Sequence, residues 1–255
     1  MIREEIRAVL LVAYRDLARF WRYRYWLFGQ IVMNIADIAI FGLIFRGIVN
    51  RELIPDYLKF ITPGVLSLSI FISSFSIGRE VGMELRREVT HYFLSLPIKR
   101  GGFVTGRLLG GLARGFIYQT GFLILALILL NPPSLMGWIL IISTSIMLAL
   151  IMSSLSISLT TITRDFNLQA TIRSLVYNVL FFVSNIFYPK RVVEARLGSA
   201  SFIVDYSPLT MATNIYRWSF KYDLSINPMI SFLGLAIWVI VILPLAYKLY
   251  IRNLV

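Results

Sequence analysis

Long apolar runs separated by short polar segments are the main pattern along the chain. A helix that crosses the roughly 30 Å hydrocarbon core of a bilayer needs about 20 mostly apolar residues. Six runs have that length, and each is interpreted as a transmembrane helix: 26–45, 58–77, 108–130, 138–159, 170–188 and 228–250. The pattern predicts an all-α polytopic membrane protein with six spans, in which residues 1–255 form a single transmembrane domain.

The segment that precedes the first run, 1–25, is too polar to cross a membrane, yet its apolar residues recur at helical spacing. Val9, Ala13 and Phe20 belong to its apolar face, whereas Arg15 and Arg19 lie largely on the opposite face. We therefore predict an N-terminal amphipathic helix in the headgroup region, with its arginines next to anionic lipid.

The composition supports a membrane protein and excludes several kinds of catalytic and metal-binding site. Hydrophobic residues make up 58% of the chain and charged residues 15%, with a mean hydropathy of +0.76. Soluble domains are about 45–50% apolar and about 25% charged, so the composition disfavours a soluble globular domain. It excludes a disordered chain, since disorder requires low hydrophobicity. The chain has no Cys and a single His, His91, which excludes Cys zinc sites, thiol nucleophiles and His clusters within the chain.

The distribution of basic residues predicts the orientation. The chain has 25 Lys and Arg against 13 Asp and Glu, a net charge of +12. With both termini in the cytoplasm, 16 of these basic residues fall in cytoplasmic segments and 8 in outer segments. The excess of positive charge on cytoplasmic segments favours this orientation. It also accounts for the basic charge without nucleic acid, and we expect no nucleic-acid partner.

The connection 80–97 between the second and third spans has its own helical periodicity. Val81, Leu85 and Phe93 repeat on one face, Glu84 and other polar residues follow on another, and Pro97 would end the helix. Such a helix rests on lipid or docks on a cytoplasmic protein. Acidic side chains are poorly suited to an anionic inner leaflet, which favours the protein partner.

Two motifs carry a resemblance to a known family. The first motif is Tyr92-Phe93-Leu94-Ser95-Leu96-Pro97-Ile98-Lys99-Arg100, followed by Phe103, Gly106 and Arg107. The second is Phe187-Tyr188-Pro189, followed by Tyr206-Ser207-Pro208-Leu209-Thr210 and Arg217. Together with length and topology, they resemble the membrane (permease) subunits of ABC exporters of the ABC-2 type over essentially the whole chain. Two positions depart from the family pattern: Val89-Thr90 stands where Gly-Thr is common, and Ser207 replaces the usual Asn.

The resemblance implies an ATP-driven exporter in the plasma membrane that moves an amphipathic substrate, such as a drug, a lipid or a lipid-linked glycan, out of the cytoplasm. It implies a separate ABC ATPase subunit, which binds ATP and Mg, and a second permease copy, identical or related. It also implies that 80–97 is the cytoplasmic coupling helix and that 189–227 forms outer re-entrant helices. The candidate ATPase-coupling residues are Glu80, Glu84, Arg87, Glu88, His91, Leu94 and Pro97. The candidate outer-gate residues are Tyr188, Pro189, Tyr206, Pro208 and Trp218.

No nucleotide site is expected in this chain. Gly101 and Gly106 have the glycine spacing of a P-loop, but Arg107 and Leu108 follow where the motif needs Lys and Ser or Thr. We predict a transport subunit rather than an enzyme, with no cofactor, catalytic residue or metal ligand of its own.

Polar residues within the predicted spans are the candidates for a substrate path. In the first span Gln30, Asn34 and Asp37 share one helical face; they either bond neighbouring helices or line a path. The corresponding candidates in the fifth span are Asn178, Phe181, Phe182 and Asn185. The alternative function is an ATP-independent channel or secondary transporter that uses Asp37.

Two further features of the third span lead to structural predictions. Gly106, Gly110, Gly111 and Gly115 have the spacing that allows another helix to approach closely. Arg114 lies about two turns into the span and is expected to extend its side chain to the inner interface.

Overall fold

The computed structural model describes residues 2–25, 28–29, 31–32, 35–36, 40, 54–95, 98–163 and 165–253. The regular elements in these ranges are helices, most of them long. They are α1 (Ile2–Arg22), α2 (Tyr57–Phe75), α3 (Ile77–Arg86), α4 (Val89–Leu94), α5 (Arg100–Leu129), α6 (Leu135–Thr161), α7 (Phe166–Val183), α8 (Lys190–Leu197), a 3-10 turn (Gly198–Ser201), α9 (Phe202–Asp205), α10 (Pro208–Ser219) and α11 (Pro228–Asn253).

Side-chain caps define where several of these helices begin. Asp56 accepts hydrogen bonds from the backbone N–H groups of Leu58 and Lys59 at the start of α2. Ser134 caps α6 and Asp165 caps α7 in the same manner. These oxygens satisfy N–H groups that have no partner inside the helix, so the sequence marks these starts locally.

Within the described ranges, four helical stretches are long and apolar enough to cross a membrane: Tyr57–Arg86, Arg100–Leu129, Leu135–Thr161 and Pro228–Arg252. They overlap the second, third, fourth and sixth predicted spans. The first predicted span, 26–45, lies mostly outside the described residues. The all-helical class agrees with the prediction, whereas the number of six spans stays a prediction.

The helices form a bundle with α2 at its centre. At one end, which we call the charged end, α3 contacts the end of α6, and the Phe103 ring of α5 lies 6.1 Å from the Tyr250 ring of α11. At the opposite end, which we call the cavity end, the Tyr57 hydroxyl of α2 donates a 2.9 Å hydrogen bond to the Phe187 carbonyl. Helices α1 and α5 begin, and α11 finishes, at the charged end.

The glycines of α5 allow close helix packing, as predicted. A Cβ on Gly106 would lie 2.6 Å from the Cβ of Val12, and one on Gly110 would lie 2.9 Å from the Cβ of Asp16. These two glycines admit α1. Gly111 and Gly115 face the other side, where an added Cβ would meet serines of α6 and α2. Helix α5 is therefore held between α1 and the centre of the bundle.

The predicted single helix over 80–97 is wrong. Helix α3 ends at Arg86, Glu88 adopts a left-handed backbone with φ of 57°, and α4 follows as a separate helix. The turn brings Phe93 against α1 and α5, with its ring 4.2 Å from the Arg15 guanidinium carbon and 6.1 Å from the Phe103 ring. Tertiary packing at Phe93 thus favours a break that periodicity alone does not reveal.

The predicted fifth span also ends too late. Helix α7 stops at Val183, and the backbone N–H of Asn185 donates to the Thr210 hydroxyl of α10 instead of to its own helix. The predicted common face of Asn178, Phe182 and Asn185 is wrong for that reason, since Asn185 lies beyond the helix.

Helix α1 forms as predicted, but a different face is buried. Val12, Asp16 and Phe20 are buried against α5, and Arg15 and Arg19 turn toward acidic residues of the chain instead of outward. The exposed face is largely apolar and includes Leu10, Tyr14 and Trp21 among its residues.

Candidate functional site

A cluster of charged side chains is buried at the charged end, where α1, α3 and α5 meet. Helix α1 contributes Asp16, α3 contributes Glu80 and Glu84, and α5 contributes Arg107 and Arg114. Asp16, Arg107 and Arg114 are fully buried, while Glu80 and Glu84 are 7% and 4% exposed. We call these five residues the ionic cluster.

Arg114 of α5 forms hydrogen bonds with both α3 and α1. Its two terminal nitrogens donate to the two carboxylate oxygens of Glu80 at 2.7 and 2.8 Å, and one of them also donates to the backbone carbonyl of Asp16 at 2.6 Å. A bidentate arginine–carboxylate pair is among the strongest and most directional polar contacts in proteins. Arg114 therefore fixes α3 and α1 against the middle of α5.

Arg107, two turns nearer the charged end of α5 than Arg114, also connects α5 to α1 and α3. Its Nη1 donates to Asp16 Oδ1 at 2.8 Å, and its Nη2 is in contact with Glu84 Oε2. Glu84 in turn accepts from Arg19, so it bridges α5 and α1. The contacts thus run from α1 to α5, from α5 to α3 and from α3 back to α1.

Two less buried arginines of α1 complete the arrangement. Arg15 donates to Asp16 at 2.9 Å, and Arg19 lies 3.8 Å from Glu80 in addition to its bond with Glu84. Four arginines thus surround three carboxylates. Taking charges out of water costs several kcal/mol per ion, and only well-formed pairs offset that cost. The cluster consequently requires α1, α3 and α5 to keep their relative positions or to exchange partners together.

The cluster corrects two predictions. Glu80 and Glu84 are not on an outward-facing surface, because their carboxylates are bound to arginines inside the chain. Arg114 does not extend to the membrane interface, because Glu80 and the Asp16 carbonyl hold it inside. The sequence did contain a signal: Glu80 and Glu84 are one turn apart on one helix, and Arg107 and Arg114 two turns apart on another, a spacing that allows pairing along facing surfaces.

The remaining coupling candidates fall into two groups. Arg87 and Glu88 are exposed at the turn between α3 and α4, where Tyr92 is also 68% exposed. The side chains of His91 and Leu94 and the whole of Pro97 lie outside what the structure describes. The turn is therefore the accessible part of this connection.

The substrate-path candidates do not form one slot in the described part of the chain. Gln30, Asn34 and Asp37 lie outside the described residues. Asn178 and Phe182 are exposed, whereas Phe181 lies against the Tyr177 and Phe187 rings. Asn185 is buried near α10, with its Nδ2 3.4 Å from the Asn214 amide oxygen.

The second sequence motif comes together around Arg217 at the cavity end. The Arg217 Nη2 donates to the Asn185 carbonyl at 2.9 Å, and its guanidinium carbon lies 4.1 Å from the centre of the Phe60 ring. The hydroxyls of Ser184 and Ser207 are 2.7 Å apart. These contacts tie the end of α7 to α10, so residues more than twenty positions apart in the sequence form one structural unit.

The outer-gate candidates are distributed around this unit. Pro189 and Tyr206 line a cavity beside it, and the Tyr206 carbonyl accepts a 3.0 Å hydrogen bond from the Trp238 indole. Tyr188 donates its hydroxyl to the Phe182 carbonyl. Pro208 is the buried first residue of α10, and Trp218 is partly buried against the main core.

The long apolar helices and the many exposed apolar side chains define a helical membrane protein. The family model for the ABC-2 type transporter matches residues 7–221, and the chain belongs to that family. It is thus the membrane domain of an ABC transporter, a transport subunit of a kind that normally pairs with an ATP-binding subunit and typically lacks its own nucleotide site. A search of curated proteins returned no match.

Proposed function

We propose that the chain is the permease subunit of an ATP-driven exporter, which works with a separate ATPase subunit and a second permease copy in the plasma membrane. The substrate proposed is an amphipathic molecule: a drug, a lipid or a lipid-linked glycan. The observation that carries this proposal is the family match together with an exposed turn beside a buried cluster that connects three helices.

The proposed orientation places the charged end in the cytoplasm. In support, α1 and the last turn of α11 both lie at that end, and exposed basic residues such as Arg87 and Lys99 are found there. The excess of Lys and Arg on cytoplasmic segments favours this direction.

Single cysteines test the orientation without interference, because the chain has none of its own. We expect Asn131→Cys and Gly198→Cys to react with an impermeant maleimide in intact cells. Lys99→Cys, which replaces a side chain that is 76% exposed at the opposite end, should react only after permeabilisation. Reaction of Lys99→Cys in intact cells would reverse the orientation.

The proposed docking surface is the turn between α3 and α4, with Arg87, Glu88 and Tyr92 facing the ATPase subunit. It replaces the predicted polar face of the helix, because the carboxylates of Glu80 and Glu84 are bound to arginines inside the chain, whereas Glu88 is exposed at the turn. Phe93 of α4 contacts Arg15 of α1 and Phe103 of α5, and Glu84 of α3 is bonded to Arg19 and Arg107. A displacement of this turn would therefore move α1 and the start of α5 through contacts that already exist.

Charge reversal tests this surface. We expect Arg87→Glu and Tyr92→Ala to reduce the amount of co-purifying ATP-binding subunit by about tenfold, because each change weakens binding at the interface while the fold is kept. Arg252→Glu is the matched control, since it reverses another exposed arginine at the same end. The measurement is the ratio of the two subunits after purification in mild detergent. Equal recovery with all three variants would reject this docking surface.

The second candidate function, an ATP-independent channel or secondary transporter, depends on Asp37. That residue lies outside the described part of the chain. Among the described residues, the charged groups buried within the bundle near α5 are those of the ionic cluster, which the exporter proposal uses. Failure of any ATP-binding subunit to co-purify with the unmodified chain, together with transport in vesicles without ATP, would favour this second candidate.

A further inference from the structure

A large cavity opens at the cavity end, separate from the ionic cluster. Its volume is about 1040 Å³, and it lies between α8, α10 and the first turns of α11. Ile230, in its wall, and Tyr250, beside the cluster, are on the same helix and about 30 Å apart at the rise of an α-helix. Sites that hold small molecules occupy roughly 300–1,000 Å³, so the volume suits a ligand of substantial size.

One wall of this cavity is apolar and faces outward. Ile230, Leu233 and Ile237 follow at helical spacing on α11, and they are 68%, 60% and 62% exposed. Met211 of α10 adds to the wall, lying so near Gly234 that an added Cβ would meet its thioether. Such a surface on a membrane-spanning helix suits a hydrocarbon chain.

The opposite wall holds buried polar atoms that have no partner among the described residues. Asn185 Oδ1 needs a donor and Arg217 Nε needs an acceptor, and the two side chains are 3% and 4% exposed. A buried polar group without a hydrogen bond costs about 1–3 kcal/mol, which a ligand that supplies the bond would recover. The complementary ligand therefore carries both an anionic acceptor and an N–H or O–H donor.

Charged residues at the cavity rim indicate which kind of headgroup the ligand carries. Lys190 bonds to Asp205 at 2.9 Å, a hydrogen bond that raises the pKa of Lys190, so these two charges satisfy each other. Arg191 and Asp223 also line the cavity, and neither forms an ion pair within the described ranges. One carboxylate oxygen of Asp223 accepts hydrogen bonds from the backbone N–H and the hydroxyl of Ser225. A zwitterionic headgroup would place its phosphate near the arginines and its cation near Asp223.

We propose that this cavity binds one phosphatidylethanolamine molecule as a resident lipid, with its headgroup against Asn185, Arg191 and Arg217 and an acyl chain along α11. The ethanolamine ammonium offers three N–H donors, whereas choline has none and the glycerol headgroup of phosphatidylglycerol brings no cation. The site is distinct from the docking turn and does not depend on ATP or on the transported substrate.

Native mass spectrometry of the full chain tests this assignment with palmitoyl-oleoyl phosphatidylethanolamine, phosphatidylcholine and phosphatidylglycerol added at equal concentration. We expect phosphatidylethanolamine to be retained at least about tenfold more than either other lipid. Leu233→Trp, which fills the apolar wall, and Arg191→Gln, which removes a rim cation, should each lower its retention by about tenfold. The matched controls Ile240→Trp, on the same helix outside the cavity, and Lys59→Gln, an exposed cation outside it, should stay within about twofold of the unmodified chain.

Each other outcome overturns part or all of the proposal. Equal retention of the three lipids would show that they bind non-specifically in the detergent belt. A preference for phosphatidylglycerol would show that the site does not recognise the ammonium group. Equal effects of Leu233→Trp and Ile240→Trp would place the lipid elsewhere. Displacement by soluble phosphoethanolamine at the lipid's concentration would reject the acyl-chain contact. If Leu233→Trp fails to elute as a folded chain, Arg191→Gln on the exposed rim decides the result. None of these readouts needs the ATPase subunit, so they are independent of the proposed transport function.

Discussion

Replacing Arg114 by leucine is expected to lower the free energy of unfolding by about 3–5 kcal/mol, because it leaves Glu80 as a buried carboxylate without its bidentate partner. The same change removes the bond to the Asp16 carbonyl, which holds α1. Thermal unfolding of the purified chain in detergent measures the effect, with a fall in the midpoint on the order of 10 °C.

Two further variants make this result specific to the pair. The double variant Arg114→Leu with Glu80→Leu removes both charges, and we expect it to recover a substantial part of the lost stability. Arg7→Leu is the control, since Arg7 is an exposed arginine of α1. A midpoint for Arg114→Leu equal to that of Arg7→Leu would show that the ionic cluster does not stabilise the bundle.

Replacing Gly106 by leucine should detach α1 from α5. The added Cβ would lie 2.6 Å from the Val12 Cβ and 2.8 Å from the Val9 carbonyl oxygen, and backbone cannot move aside as a flexible side chain can. Overpacking costs about 1–3 kcal/mol, and displacement of α1 would also separate Asp16 from Arg107. We therefore expect the free energy of unfolding to fall by at least about 4 kcal/mol, the sum of both effects at their lower ends.

A cysteine at Val12 reports this displacement directly. Val12 is 5% exposed, so Val12→Cys should react slowly with maleimide in the otherwise unmodified chain and at least about tenfold faster when Gly106→Leu is added. Gly121→Leu is the matched control on the same helix, because an added Cβ there meets nothing within 4 Å. Slow labelling in both glycine variants would mean that α1 accommodates the larger side chain.

Agreement between sequence and structure is best where the information is local. The apolar runs predicted the long helices. The side-chain oxygens of Asp56, Ser134 and Asp165, which the apolar pattern did not single out, are equally local signals of where α2, α6 and α7 begin. The glycines of α5 indicated close approach because a missing Cβ leaves room whichever helix fills it. The spacing of apolar residues in α1 predicted its helix, because helical periodicity is a property of consecutive positions.

Disagreement appears where a residue's role depends on a distant partner. Two glutamates one turn apart indicate a polar helical face, but they do not indicate what that face contacts. Glu80 and Glu84 point into the protein because α5 places Arg114 and Arg107 beside them. The end of α7 is equally non-local, because Asn185 leaves the helix to bond with Thr210, twenty-five positions later. Periodicity carries no information about such pairings.

The membrane class, the helical elements and the resemblance that the family match confirmed all follow from the order of the residues, because apolar length, capping oxygens and short motifs are properties of consecutive positions. Which charges are buried, where the 80–97 connection breaks and which polar residues line the cavity follow only from the packing of the helices. Those features depend on desolvation and on distances of a few ångströms between helices far apart in the chain. A buried charge is tolerated only when the fold brings its partner to it.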